Sequence, residues 1–392
     1  MLSQYIETLA KFRQFWNFQP FQNIDYSTYS WPQTLIGALD ATTDEELANI
    51  DSDIKLQREF FAPWFAEVYD LPEVATVIPS QKLPVPFWLE NGIGGRKIEQ
   101  IKAFISQLPL RNTSILEWCS GKGHLGRLIA FSQNRQVTSI EWQSQLCESG
   151  QSIAQQYQLP QNFIHADVMK DDLSSTWNNV GCAVALHACG DLHLKLIQQG
   201  AATRCAELMI APCCYHLTDW DTYIGFSQCA QASLQAHDLS LTREHLKLAV
   251  QGQVTAGARV ARLRHTEVQW RLAYHEIYQW ITGNRYYQPL SSVAKHWFSG
   301  EFKDFVQWAA EQHHIQLPEC IDWQLFLEKG RQAASQVARL EFVRHVFRRP
   351  LESMLVLDRA EYLRESGYNV AVREFCSYQL TPRNFLIHAQ LM

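Results

Sequence analysis

Apolar residues recur at three- and four-residue steps near the start of the chain: Tyr5, Ile6, Leu9, Phe12, Phe15 and Trp16, then a second run from Glu45 through Trp64. That spacing predicts helices across residues 2–70, each hiding an aromatic stripe in a core rather than offering it to bases. Pro72, Pro79, Pro84 and Pro86 then interrupt regular structure, so LPVPFWLENGIGG reads as an extended connector ending in a turn. Ile98, Ile101 and Phe104 line one face of a helix that begins near Arg96 and stops before Pro109.

From Ser114 the pattern changes. SILE, RQVTSIEW, NFIHADV, CAVALHACGDL and ELMIAPCCYHL are strand-length runs, separated by helical stretches such as residues 145–157 and 194–202. Strands alternating with helices predict a parallel sheet whose functional loops lie at the strands' carboxyl ends. Beyond Leu217 the period is helical again, through EVQWRLAYHEIYQWI and EFKDFVQWAAEQ, over a length too great for a connection. A last helix at residues 351–365 precedes YNVAVREFC and RNFLIHAQL, two alternating runs joined by a turn at Leu380, Thr381 and Pro382. Four regions follow: an N-terminal helical region (1–90), the first part of an α/β core (91–217), a helical insertion (218–340) and the remainder of the core (341–392).

Composition removes some function classes. The net charge of -6 gives no overall basic field of the nucleic-acid-binding kind. The ten cysteines include no C-x-x-C pair and lack the spacing of a secreted disulfide scaffold, which points to reduced thiols in the cytoplasm. The N-terminus has no signal-peptide core, and no apolar stretch is long enough for a membrane span.

SILEWCSGKGHLG is the strand, glycine turn and helix start around which this α/β region is organised. Gly121, Gly123 and Gly126 can bring a ligand close to the backbone, and the helix start offers free N–H groups. A tight strand-to-helix connection would use the same glycines. What separates the alternatives is Glu117: four residues before the first glycine, a dinucleotide turn has an apolar strand residue, whereas an acid followed by C-S-G-K-G suits S-adenosylmethionine. Glu141 then falls where a carboxylate can accept from both ribose hydroxyls, and Asp167 where a polar group can meet an adenine edge; each could instead cap a helix or turn.

Together, ILEWCSGKGHLG, ALHACGDL and IAPCCYH resemble the class I methyltransferase-domain family that includes the glutathione S-transferase C-terminal domain-containing proteins. They are more distantly similar to tRNA ribose methyltransferases with a C-G-K-G turn and a paired-cysteine loop. The ending GYNVAVREFCSYQLTPRNFLIHA is similar to the close of the family's bacterial members. The resemblance implies a seven-stranded, Rossmann-like class I methyltransferase sheet with an N-terminal helical region and a helical insertion before the last two strands. It also implies S-adenosylmethionine as cofactor and an RNA-related substrate, tRNA or rRNA. The cofactor residues it implies are Glu117, Cys119, Gly121, Lys122, Gly123, Glu141, Trp142, Asp167, Val168 and His187. The chain lacks the CHHC zinc-finger spacing of the tRNA enzymes and the N-P-P-Y loop of amino-methylating DNA and RNA enzymes.

The exits of the fourth and fifth strands hold His187, Cys189, Asp191, Cys213, Cys214 and His216. Adjacent cysteines are poor chelators of one ion, so these residues are expected to line the cofactor and substrate pocket, with no metal. Methyl transfer needs a base only for a weak nucleophile; Asp191 and His187 are the first candidates, His216 the third. Cys213 and Cys214 are candidate nucleophiles toward a pyrimidine ring.

Arg259, Arg262, Arg264 and Arg271, then Arg339, Arg344, Arg348 and Arg349, form either a face for RNA phosphate or a solvated helix face. A methyltransferase of a protein or small molecule, an NAD(P)-dependent oxidoreductase and a non-catalytic RNA-binding module remain the alternatives. The sequence sets no oligomeric state.

Overall fold

The run ELMIAPC is buried at every position, as a strand covered on both faces must be, and it lies inside a mixed sheet. The computed structural model describes residues 1–77, 83–251 and 258–392. The chain divides into two units: Met1–Lys11, Asp70–Gly252 and Arg348–Met392 form the first, and Phe12–Tyr69 with Gln253–Phe347 the second.

In the first unit the strands are β1 (Ser114–Glu117), β2 (Val137–Glu141), β3 (Gln161–His165), β4 (Val180–Cys189), β5 (Glu207–Cys213), β6 (Tyr368–Glu374) and β7 (Phe385–Leu391). Their order is β3-β2-β1-β4-β5-β7-β6, with β1 to β5 parallel and β7 antiparallel to both neighbours. This is the expected class I arrangement. A two-residue strand, Thr76–Val77, adds to the outer edge of β6 from the proline-rich connector, where only extended chain was expected.

Helices α1 (Leu2–Lys11), α2 (Gly95–Ile105), α3 (His124–Gln133), α4 (Ser144–Gln156), α5 (Asp191–Ala202) and α6 (Arg348–Glu365) belong to the same unit. Ile98, Ile101 and Phe104 of α2 and Leu125, Leu128 and Ile129 of α3 share one apolar cluster with β1, β4 and β5. The sequence of α6 starts its apolar pattern at Leu351, but Pro350 is tolerated in the first turn and the helix begins earlier.

Residues 218–251, expected at the head of the insertion, lie in the first unit. They form a short antiparallel pair, Thr222–Tyr223 with Leu241–Thr242, and helices Gln228–Ala236 and Arg243–Leu248. Asp358 of α6 is fully buried and holds this segment: its carboxylate accepts the Tyr223 hydroxyl and the N–H groups of Phe226 and Ser227, both at 2.7 Å.

The second unit is helical. Its long helices Ala258–Thr282 and Trp323–His345 contribute to a core of Trp270, Tyr274, Phe298, Phe302, Phe305 and Phe326. Arg339 is bound to Asp44 at 2.6 Å and to the carbonyls of Leu39 and Thr42, and Arg344 to Glu341 and the Trp16 carbonyl. Among the described residues no helix is long and apolar enough to cross a membrane.

Candidate functional site

The glycine turn follows β1. Cys119, Gly121 and Gly123 have φ of 54°, 58° and 65°, so left-handed residues alternate with ordinary ones and the chain winds tightly into α3. Such alternation points successive N–H groups to one side, as an anion- or dipole-binding nest requires. The glycines serve different ends. A Cβ on Gly121 would meet nothing within 4 Å, whereas one on Gly123 would lie 2.3 Å from the Phe163 ring and one on Gly126 2.4 Å from Glu117 Oε2. Gly121 alone faces open space; the other two let α3 settle onto β1 and β3.

Glu117 is not on the open side. It is 2% exposed, accepting from Ser139 Oγ at 2.5 Å and from the Gly126 N–H, and burial pushes its carboxyl up to about 7. Gln161 continues the chain of bonds, donating to Ser139 Oγ at 2.9 Å and to the Gly123 carbonyl at 3.0 Å. Glu117 therefore shapes the turn from beneath. Ser139 and Gln161 escaped the sequence reading; the available signal was a polar serine inside the apolar run VTSIE.

Glu141 ends β2 beside the turn. Its Oε2 accepts the Gly121 N–H at 2.8 Å and its Oε1 the Gln143 N–H at 3.1 Å. Each carboxylate oxygen keeps an acceptor direction for a further donor. One strand over, Asp167 Oδ1 accepts the Met169 N–H at 3.0 Å and Oδ2 pairs with Lys170 at 3.3 Å; that backbone bond, then the lysine, hold the carboxyl below its usual range. Trp142 is 65% exposed, Lys122 is exposed and Val168 is buried.

The exits of β4 and β5 are shaped by Pro212. Proline has no N–H for the ladder, and opposite it β4 bulges between Leu186 and Cys189, with His187 at a φ of 72°. The bulge presents the His187 ring to α2, where its Nε2 bonds with Gln100 Oε1 at 2.9 Å. Burial, Lys97 and Arg383 hold the His187 imidazole neutral by lowering its pKa. Gln100 was another residue missed; it lies one turn beyond Arg96 on α2.

Past the bulge, Cys189 is in register with Cys213, and their sulfurs are 3.5 Å apart. Cys214 follows at a φ of 49°, and the three sulfurs lie within 4.8 Å of one another. The neighbouring Cys189 and Cys213 thiols, with Arg383, hold the Cys214 thiol below its ordinary range. Cys213 is only 1% exposed, which leaves Cys214 the more accessible. The two loops are bound together: Gly190 N–H donates to the Cys213 carbonyl and Asp191 N–H to the Leu217 carbonyl, each at 3.0 Å. Asp191 Oδ2 accepts the Asp219 N–H at 2.9 Å, while Asp191 Oδ1 and His216 Nδ1 are buried without partners among the described residues.

The structure thus gathers His187, Cys189, Asp191, Cys213, Cys214 and His216 on two interlocked loops, beside the Gly121 and Glu141 edge.

Residues 96–219 match the model of a family described as a methyltransferase domain. The match contains all three sequence motifs, and S-adenosylmethionine is the cofactor of such a domain. The open face at Gly121, with the Glu141 carboxylate at its rim, fits that group. No curated protein matches the chain. Among solved structures, coclaurine N-methyltransferase bound to N-methylheliamine and SAH is similar at 11% identity and a TM-score of 0.26, covering 45% of this chain and 62% of that one.

The basic residues separate into two groups. Arg271 binds Glu267 and the carbonyls of Leu290 and Ser291; Arg348 binds the Gln251 carbonyl; Arg349 binds Glu352, Glu374 and Asn384. With Arg339 and Arg344 bound as described, these five serve internal structure. Arg259, Arg262 and Arg264 are exposed. Neither of the two expected faces includes all eight.

Proposed function

We propose that the protein is an S-adenosylmethionine-dependent methyltransferase that acts on RNA, tRNA or rRNA, in the cytoplasm. The observation that carries the methyl-transfer reading is the hydrogen bond from Gly121 N–H to Glu141 at the open face of the turn. S-adenosylmethionine supplies a methyl group already activated on a sulfonium. The protein's task is then to hold, align and exclude water.

In this reading the Gly121 nest takes the amino-acid end and ribose of the cofactor, with Cys119 and Lys122 flanking. Glu141 accepts from the ribose hydroxyls, and Asp167, Val168 and Trp142 border the adenine. On the acceptor side, His187 donates from Nε2 to Gln100, which leaves Nδ1 to accept a proton from a hydroxyl acceptor. Asp191 and then His216, on the same two loops, are the further candidates.

RNA as acceptor is supported by the resemblance of ALHACGDL and IAPCCYH to tRNA-methylating enzymes and by the exposed Arg259, Arg262 and Arg264. The cytoplasm is supported by ten cysteines that are all free. The internal use of Arg271, Arg339, Arg344, Arg348 and Arg349 favours a second reading, a protein or small-molecule acceptor.

Calorimetry with S-adenosylhomocysteine and NAD tests the cofactor half: the first should bind and the second should not. Tritiated methyl transfer into fractionated cellular RNA, protein and small metabolites tests the acceptor. Label in protein or metabolites alone would replace the RNA reading by the second one. Binding of NAD alone would make the chain an oxidoreductase, and binding of RNA without either cofactor a non-catalytic module.

A further inference from the structure

Neighbouring residues of a strand point to opposite faces, which is why Cys213 and Cys214 look unfit to share a ligand. Two backbone features remove that obstacle. The β4 bulge opposite Pro212 returns Cys189 to register with Cys213, at 3.5 Å between sulfurs. Left-handed Cys214, at a φ of 49°, then turns its side chain back, so that all three sulfurs lie within 4.8 Å of one another. Tetrahedral zinc with Zn–S bonds of about 2.3 Å places its sulfurs about 3.8 Å apart, so shifts of about 1 Å would complete the coordination.

The geometry points to a zinc site formed by Cys189, Cys213 and Cys214 at the carboxyl edge of β4 and β5.

Both loops are turned by left-handed residues, His187 in the bulge and Cys214 after the strand, and it is this backbone that brings the three sulfurs to one side. A second observation concerns charge. Three thiols release three protons to solvent on binding Zn2+, and the product carries one net negative charge. Arg383, whose charge acts on Cys189 and Cys214, has a buried Nε without a partner among the described residues. Arg383 is thus a cation within electrostatic reach of the three-sulfur cluster.

Three protein ligands leave the fourth position of a tetrahedral ion open, the arrangement of reactive rather than closed structural zinc. Water or the nucleophilic atom of the methyl acceptor would take it. That role rests on the methyltransferase reading; the ion does not.

The test uses the full chain, purified with reductant and without chelator. Elemental analysis should find close to one zinc per chain, and cadmium added to the stripped protein should give a sulfur-to-cadmium charge-transfer band in the ultraviolet. Cys189→Ser and Cys214→Ser should each lower zinc retention by about tenfold or more, since affinity depends on the number of deprotonated ligands. Cys320→Ser, at an exposed thiol of the other unit, should change nothing. Circular dichroism and S-adenosylhomocysteine binding on the same samples show whether each variant is folded.

The site is overturned if fully reduced protein takes no cadmium, if Cys189→Ser and Cys214→Ser retain the band, or if the protein is isolated metal-free with a Cys189–Cys213 disulfide. Zinc binding without S-adenosylhomocysteine binding would instead remove the methyltransferase reading and leave the metal site intact.

Discussion

The backbone N–H of Gly121 donates to Glu141 Oε2 at 2.8 Å, joining the glycine turn after β1 to the carboxylate that ends β2. Glu141→Ala removes this bond and, on the proposed function, the acceptor of the ribose hydroxyls. Affinity for S-adenosylhomocysteine should fall by roughly 10- to 100-fold, the range for losing one or two charge-assisted hydrogen bonds. Calorimetry measures it, and unchanged affinity would remove Glu141 from the cofactor site.

Glu117 makes stability depend on pH. Its folded pKa is raised to about 7 by burial, so between its ordinary carboxyl range and pH 7 the folded state binds a proton that the unfolded state has lost. Its contribution to stability is therefore fully present at low pH and is lost as pH rises through about 7. Glu117→Gln should flatten that dependence, gaining on the native protein between pH 5 and pH 8 by a few kcal/mol at most, roughly. Urea melts at the two pH values provide the comparison; a parallel pair of curves would contradict it.

Substitutions at the turn's glycines should separate stability from binding. Gly121→Ala puts a Cβ into open space at a φ of 58°. It should cost only about 1 kcal/mol of stability, while on the proposed function the methyl group occupies the open side that the cofactor would use and should weaken S-adenosylhomocysteine binding by about tenfold or more. Gly126→Ala drives a Cβ to 2.4 Å from Glu117 Oε2. Overpacking of that kind should cost about 2 kcal/mol and shift thermal melting clearly.

Asp358 should be among the most sensitive structural positions. Asp358→Ala leaves the Tyr223 hydroxyl and the N–H groups of Phe226 and Ser227 without their buried acceptor. The loss should be about 3 kcal/mol or more, with hydrogen exchange rising first across residues 222–242. Protection retained there would show that the segment is held by other means.

Much of the first unit is legible in the sequence because it is built from local signals. Each of β1 to β5 is a short apolar run bounded by turn residues, and the glycine turn announces itself through Gly121 and Gly123. The placement of residues 218–251 was not legible: their links to the rest of the unit, Asp358, Glu365 and Arg348 among them, come from about a hundred residues further on, and a charged residue in a helix carries no mark of what it will bind. The arginines misled for a related reason. Composition records their charge but not their partners, and Arg339 and Arg349 find theirs only in the folded chain. At the site, Glu117 looked ligand-facing from its position before the glycines; only the packing of α3 through Gly126 shows the carboxylate turned inward. Pro212 was visible as a residue, but its effect on His187 needs the neighbouring strand.

The position of β7 between β5 and β6 has a consequence for biosynthesis. β5 leaves the ribosome long before β7, and both units' remaining residues are translated in between. During that interval the nascent sheet has an open, largely apolar edge at β5, the kind of edge that pairs with other chains. Completion must await a strand from much further along the message, so mutations that slow or truncate translation after α6 should raise aggregation even though they leave the glycine turn untouched.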